Sequence, residues 1–156
     1  MSVPRHVETR RTCLAYSPGG HLAELERALD GITFVDCFHV TYGGGRPSSL
    51  PARRVYRLCH PRRSLLRTLV NALGALRVLV RERPRLVVST GADVAVPTVL
   101  LSKLFGARVV YIETAAALDG SLSGRLCYRA ADLFIVQWPD QLVRYPRAVL
   151  AGGPLL

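Results

Sequence analysis

Two short stretches hold residues whose types and spacing suit chemistry. In the first, Ser17-Pro18-Gly19-Gly20-His21-Leu22 joins an apolar run, Thr12-Cys13-Leu14-Ala15-Tyr16, to leucines at helical spacing, Leu22, Leu25 and Leu29. A strand that passes through a glycine turn into a helix leaves backbone N–H groups without acceptors at the helix start. Together with the helix dipole these favour an anion such as a phosphate. Gly19 and Gly20 allow close backbone approach. His21 stands in the first turn at the mouth of the site, and an imidazole suits proton transfer near neutral pH. The second stretch is Glu113-Thr114, a carboxylate and a hydroxyl at the end of the β-branched and aromatic run 108–112. Between them Thr90-Gly91-Ala92-Asp93 forms another glycine turn after an apolar run, 85–89. Bland readings stand beside each. The first loop also suits a plain βα turn with a solvent-facing histidine, Ser17 and Thr90 suit caps, and Asp93 suits a helix start.

These residues must be positioned by strands alternating with helices. The expected strands are 12–16, 32–40, 53–58, 85–89, 108–112, 133–136 and 147–150, with 53–58 near a sheet edge because it is so charged. The expected helices are 20–29, 61–83, 94–105 and 124–130, and 41–51, with three glycines and two prolines, is a loop. Alternation of this kind implies an α/β fold with a Rossmann-like parallel sheet and helices on both faces. Ligands then bind beyond the carboxyl ends of the strands near a switch point, which is where all three polar features project. The expected organisation is a flexible basic leader over 1–11, one domain over 12–153 and a tail over 154–156.

Composition narrows the function classes. Hydrophobic residues make up 49% and charged residues 21%. The chain is therefore not of the disordered type. A net charge of +10 favours an anionic partner, although a genome rich in arginine codons gives the same excess. No Walker lysine or G-x-G-x-x-G run supports an ATP or NAD site. Cys13, Cys37, Cys59 and Cys127 show no C-x-x-C spacing, so neither a metal nor another cofactor is expected. No aromatic stacking platform or nucleic-acid motif supports a nucleic-acid binder. The 1–11 segment lacks an apolar core and is not expected to be a secretory signal.

The segment 61–83 is unusual. Leu65, Leu66, Leu69, Val70, Leu73, Leu76 and Val80 recur at helical spacing, while Arg63, Arg67, Arg77 and Arg81 share another face. Its longest uncharged run, 68–76, falls short of the roughly 20 apolar residues of a membrane span. Two readings remain: an interfacial helix with leucines in lipid and arginines on lipid phosphates, or a helix that packs on the sheet with a solvated arginine face. On the first, Arg63, Leu66, Arg67, Leu69, Val70 and Leu73 contact the membrane.

Four motifs in order carry a family resemblance: Ser17-Pro18-Gly19-Gly20-His21-Leu22; Ser89-Thr90-Gly91-Ala92-Asp93 with Pro97; Tyr111-Ile112-Glu113-Thr114; and Val136-Gln137-Trp138-Pro139. Together they resemble the acceptor-domain subunits of two-part GT-B glycosyltransferases. These include the membrane-recruiting subunit of the UDP-GlcNAc transferase of dolichol-linked oligosaccharide synthesis and bacterial capsule and exopolysaccharide relatives. More distantly, the motifs are similar to the N-terminal half of MurG. There a strand ends in a His-Glu pair; here Ile112 stands at the histidine's place and Glu113 matches the glutamate.

The resemblance covers about 12–153 and implies a single half of a GT-B fold, a hexosyltransferase only in complex. This half would bind a polyprenyl-diphosphate-linked saccharide, and a partner subunit would bind the UDP-sugar. The complex would act as a heterodimer, peripheral on the cytoplasmic face of an anionic membrane, and would transfer sugar with inversion. It further implies His21 and Glu113 as the choices for catalytic base. Acceptor diphosphate contacts would come from Ser17, Gly19, Gly20, Thr90, Gly91, Asp93 and Thr114. Trp138 would face sugar, the partner or only a structural corner. The eukaryotic members carry an N-terminal membrane anchor that is not expected here. A non-catalytic membrane-recruiting scaffold is the alternative.

Overall fold

The computed structural model describes residues 6–155. Nine strands and five helices follow one another along the chain: β1 (His6–Glu8), β2 (Thr12–Ala15), α1 (Gly20–Ala28), β3 (Ile32–Phe34), β4 (Cys37–Thr41), β5 (Arg54–Arg57), α2 (Leu65–Glu82), β6 (Leu86–Ser89), α3 (Val96–Ser102), β7 (Arg108–Ile112), α4 (Leu122–Cys127), β8 (Leu133–Val136), α5 (Gln141–Arg144) and β9 (Val149–Leu150). A 3₁₀ turn, Lys103–Phe105, extends α3. Seven strands form one sheet in the order β5-β4-β2-β6-β7-β8-β9, and every pairing is parallel. β5 lies at the edge, as its charge led us to expect.

The order explains where the layers lie. From β2 the chain steps one way to β4 and β5, then returns through α2 to β6 on the other side of β2 and continues to β9. Right-handed crossovers in opposite directions put their helices on opposite faces. Accordingly, Leu22 and Leu25 of α1, with Leu29 just past its end, pack on Leu14, Tyr16, Leu86, Val88 and Ile112. On the other face Val78, Val99 and Cys127, from α2, α3 and α4, pack with Cys13, Ala15, Phe38, Val87 and Val109. The reversal falls between β2 and β6, so the loops that follow these two strands meet.

Coverage is unequal. One face carries α2 to α5; the other carries only α1 and a small parallel ribbon of β1 and β3. Beside α1 a groove of about 370 Å³ remains, lined by Leu86, Val88, Val110, Ile112 and Ile135 of the sheet and by Leu155.

Two expectations need correction. Within 1–11, His6–Glu8 is a paired strand rather than leader, while residues 1–5 lie outside the described residues. The run 32–40 divides into β3 and β4, because Asp36 between them is held by ion pairs to Arg11 and Arg53.

Candidate functional site

Gly19, at φ 143°, opens α1 with no side-chain cap and no acid in the first turn. The first helical bond runs from Ala23 N–H to the Gly19 carbonyl at 3.0 Å. The N–H groups of Gly20, His21 and Leu22 therefore have no acceptor within the helix, and Gly19 and Gly20 are exposed. Ser17 is half-buried at the end of β2.

His21 is locked to the loop after β6. Its Nδ1 lies 2.8 Å from the Thr90 carbonyl oxygen, and the Thr90 hydroxyl donates back to the His21 carbonyl at 2.7 Å. A carbonyl can only accept, so Nδ1 carries a proton, and in the neutral ring the lone pair is on Nε2. The His21 side chain is 28% exposed, so the imidazole is open to a ligand. Behind the ring Glu24 is buried. One carboxylate oxygen, Oε1, accepts from the Thr114 hydroxyl, Ala115 N–H and Gln137 Nε2. The other, Oε2, has no hydrogen-bond partner and lies 3.8 Å from His21 Nδ1. Sequence reasoning missed Glu24. The signal was its i,i+3 spacing from His21, which puts both on one helix face.

Thr90 thus orients His21 instead of offering its hydroxyl to a ligand. Gly91 is corrected too: its N–H already donates to the Ser89 hydroxyl at 3.0 Å. Gly91 takes φ 98°, and a Cβ there would fall 2.4 Å from the Tyr111 hydroxyl. The turn therefore needs glycine for both conformation and room. Asp93 is partly exposed and 3.3 Å from His60 Nδ1, and the His60 ring lies tilted against Tyr42 with centroids 4.2 Å apart.

Glu113 is not an open base. It is fully buried, and all its acceptor positions are occupied. Its Oε1 accepts from Thr114 N–H at 3.0 Å and from the Ser121 hydroxyl at 2.7 Å. Its Oε2 accepts from Ser121 N–H at 3.1 Å and from the Tyr145 hydroxyl at 2.6 Å. Burial, then the Glu113 carboxylate, holds the Tyr145 phenol well above its ordinary value, so it stays a donor. Glu113 clamps the 114–121 loop to β7. Thr114 is likewise nearly buried and bonded to Glu24, so neither meets a ligand here. Trp138 is a corner: its indole N–H donates to the Ala115 carbonyl at 2.9 Å.

The brought-together groups are therefore the free N–H groups of α1, the His21 imidazole with Thr90 and Glu24 behind it, and Ser17 at the rim. They can hold an anion and accept a proton from a hydroxyl beside it. Among the described residues no group of three or more His, Cys, Asp or Glu side chains forms a metal site.

α2 turns only Asn71, Ala75, Val78, Leu79 and Glu82 inward. Leu66 is 72% exposed, with Leu65, Leu69, Val70 and Leu73 also outward, as are Arg63 and Arg67. No helix among the described residues is long and apolar enough to cross a membrane.

Against known proteins, a family profile described as "Oligosaccharide biosynthesis protein Alg14 like" matches residues 50–153. The UDP-N-acetylglucosamine transferase subunit ALG14 of Eremothecium gossypii is 41% identical over 101 residues, 58% of this chain and 45% of that protein. The rat protein of the same name is 32% identical over 96 residues, 57% of this chain and 44% of its own length. The matched stretch thus spans about half the length of these curated relatives. Among solved structures, Acinetobacter baumannii MurG superposes with TM-score 0.64 at 17% identity, over 92% of this chain and 45% of that one. The UDP-GlcNAc 2-epimerase of Neisseria meningitidis, bound to UDP-GlcNAc, gives 0.68 at 12% identity, over 95% and 47%. At these identities the likeness is one of fold: nearly all of this chain matches about half of each of those chains.

Proposed function

The chain belongs to the Alg14-like family of oligosaccharide biosynthesis proteins, and from that premise we propose that it is the acceptor-binding subunit of a split glycosyltransferase. It holds a polyprenyl-diphosphate-linked saccharide at an anionic membrane while a partner subunit brings the UDP-sugar, and the pair transfers the sugar with inversion. The name these relatives carry makes UDP-N-acetylglucosamine the first donor to test. The observation that carries the reading is the fixed His21 tautomer at the switch point, beside the free start of α1.

In this reading acceptor diphosphate sits on the N–H groups of Gly20 to Leu22, near Ser17. His21 Nε2 takes the proton of the acceptor hydroxyl as its oxygen attacks the anomeric carbon and the nucleotide diphosphate leaves. The Glu24 carboxylate lies 3.8 Å from the ring. Asp93 borders the site and contacts the acceptor saccharide. The outward leucines and arginines of α2 support a peripheral membrane contact through Arg63, Leu66, Arg67, Leu69, Val70 and Leu73. The open groove beside α1 supports a partner, since parallel sheets are ordinarily covered on both faces.

The test is co-purification in mild detergent followed by an assay of each component and of the pair. Transfer by the pair and by neither alone is the expected result; full activity of either component alone overturns the split arrangement. A non-catalytic, membrane-recruiting scaffold draws support from the burial of Glu113, which removes one of the two expected bases. It differs in predicting that His21→Ala leaves transfer intact.

A further inference from the structure

The 42–52 loop belongs to neither the His21 site nor the α2 face, yet it roofs a cavity of about 500 Å³ at the carboxyl edge of the sheet. The floor follows from strand register. Thr41 pairs with Arg57, and Tyr16 stands one step beyond the paired residues Ala15 and Val40. Residues level with one another on parallel strands point to the same face, so Tyr16, Thr41 and Arg57 form a row across three strand ends. The roof is held in place from α1. Glu26 accepts from the Arg46 guanidinium and from Ser49 N–H and Oγ at 2.7 and 2.9 Å. Gly45 sits so close to Pro18 that a Cβ would fall 2.6 Å from that ring.

Several groups that line this cavity are donors. Thr41 is 6% exposed, and its hydroxyl has no partner. Folded proteins rarely leave such a group without a ligand or water. Arg57 makes no ion pair among the described residues, where Arg46 is committed to Glu26. The N–H groups of Gly44 and Gly45, which line the cavity, find no acceptor among the described residues. Gly44 and Gly45 lie at φ 98° and φ 78°. Such a turn gathers successive N–H groups as in anion-binding nests. No Asp or Glu lines the cavity. Its volume is in the range of sites for small ligands.

We propose that this cavity is a second anion site that takes a phosphoryl group, held by Arg57, the Thr41 hydroxyl and the glycine N–H groups. It is distinct from the start of α1 and stands whether or not the transfer reading holds. Two sources share the chemistry: the diphosphate of a prenyl-linked ligand and that of a sugar nucleotide.

The test is titration of the ¹⁵N-labelled chain with inorganic pyrophosphate, at near-neutral pH and about 0.15 M salt to screen non-specific attraction. The expected result is saturable shifts of the Gly44 and Gly45 amide signals. Arg57→Gln weakens that binding about ten-fold or more, as loss of a charged hydrogen-bonding partner does. Thr41→Val weakens it less, while His21→Ala and the charge-matched Arg77→Gln leave it unchanged. Parallel titrations with geranyl diphosphate and UDP identify the source by which binds more tightly. Shifts confined to Gly20 and His21, an affinity unaltered by Arg57→Gln, or no saturable shift at Gly44 and Gly45 would each overturn the proposal.

Discussion

α1 and α2 share leucine periodicity and opposite fates. Leu22 and Leu25 of α1 are fully buried, whereas Leu65 and Leu66 of α2 are 90% and 72% exposed. The contrast lies in what else each helix carries. α1 seats its large side chains in the core, and its first turn is left open for chemistry. α2 packs through Asn71, Ala75, Val78, Leu79 and Glu82, of which Leu79 is the one leucine turned fully inward, with Gly74 only 3.1 Å (as an added Cβ) from a Leu58 methyl. Its other leucines are left outside. A stripe of leucines signals an apolar neighbour, and only the packing decides whether that neighbour is the chain's own sheet or something external.

Substitutions can break this contrast, beginning with the core. Leu25→Ala should cost about 2–5 kcal/mol in chemical denaturation, as other buried leucines do. A loss below about 1 kcal/mol would mean that α1 does not anchor its face. Next comes His39, buried on the α1 face and bonded to the Tyr16 hydroxyl at 2.9 Å. Burial lowers its pKa from 6.5 to about 4. The unfolded chain thus binds the proton first, so stability is full above pH 6.5 and falls as pH drops towards 4. The whole loss is about 3 kcal/mol. Melting temperature followed against pH should flatten across that window in His39→Gln; an unchanged slope would assign it to other groups.

On α2 the effects should move from stability to surface binding. Arg63→Glu with Arg67→Glu should weaken sedimentation with anionic vesicles more than about ten-fold, at roughly 1 kcal/mol per charge. Equal binding would remove the membrane from α2. Leu66→Ser with Leu69→Ser should shift stability least, by about 0.5 kcal/mol or less, while also weakening vesicle binding. A large destabilisation there would show that these leucines pack on the protein itself.

Much of the sheet was legible because alternation, glycine turns and the charged edge strand are local signals. The order of elements and the meeting of the loops after β2 and β6 followed from them. Glu113 was misread because a carboxylate at a strand end looks the same whether turned in or out. Its partners Ser121 and Tyr145 stand 8 and 32 residues along the chain, beyond any local period, and Gly124 matters as well: a Cβ there would fall 1.9 Å from its carboxylate. Glu24 was missed for the converse reason. On a helix surface it reads as solvated, and only the wrapping of Ala115 and Gln137 buries it. The pairing of β1 with β3 was invisible because three residues carry no period.

The measurement closest to the central claim is sugar transfer by the reconstituted pair carrying His21→Ala, with folding and complex formation checked in the same preparation. Loss of about 10²- to 10⁴-fold in kcat, with the complex intact, is the result expected of a general base. Turnover equal to that of the unaltered pair would contradict it and leave the chain as a scaffold.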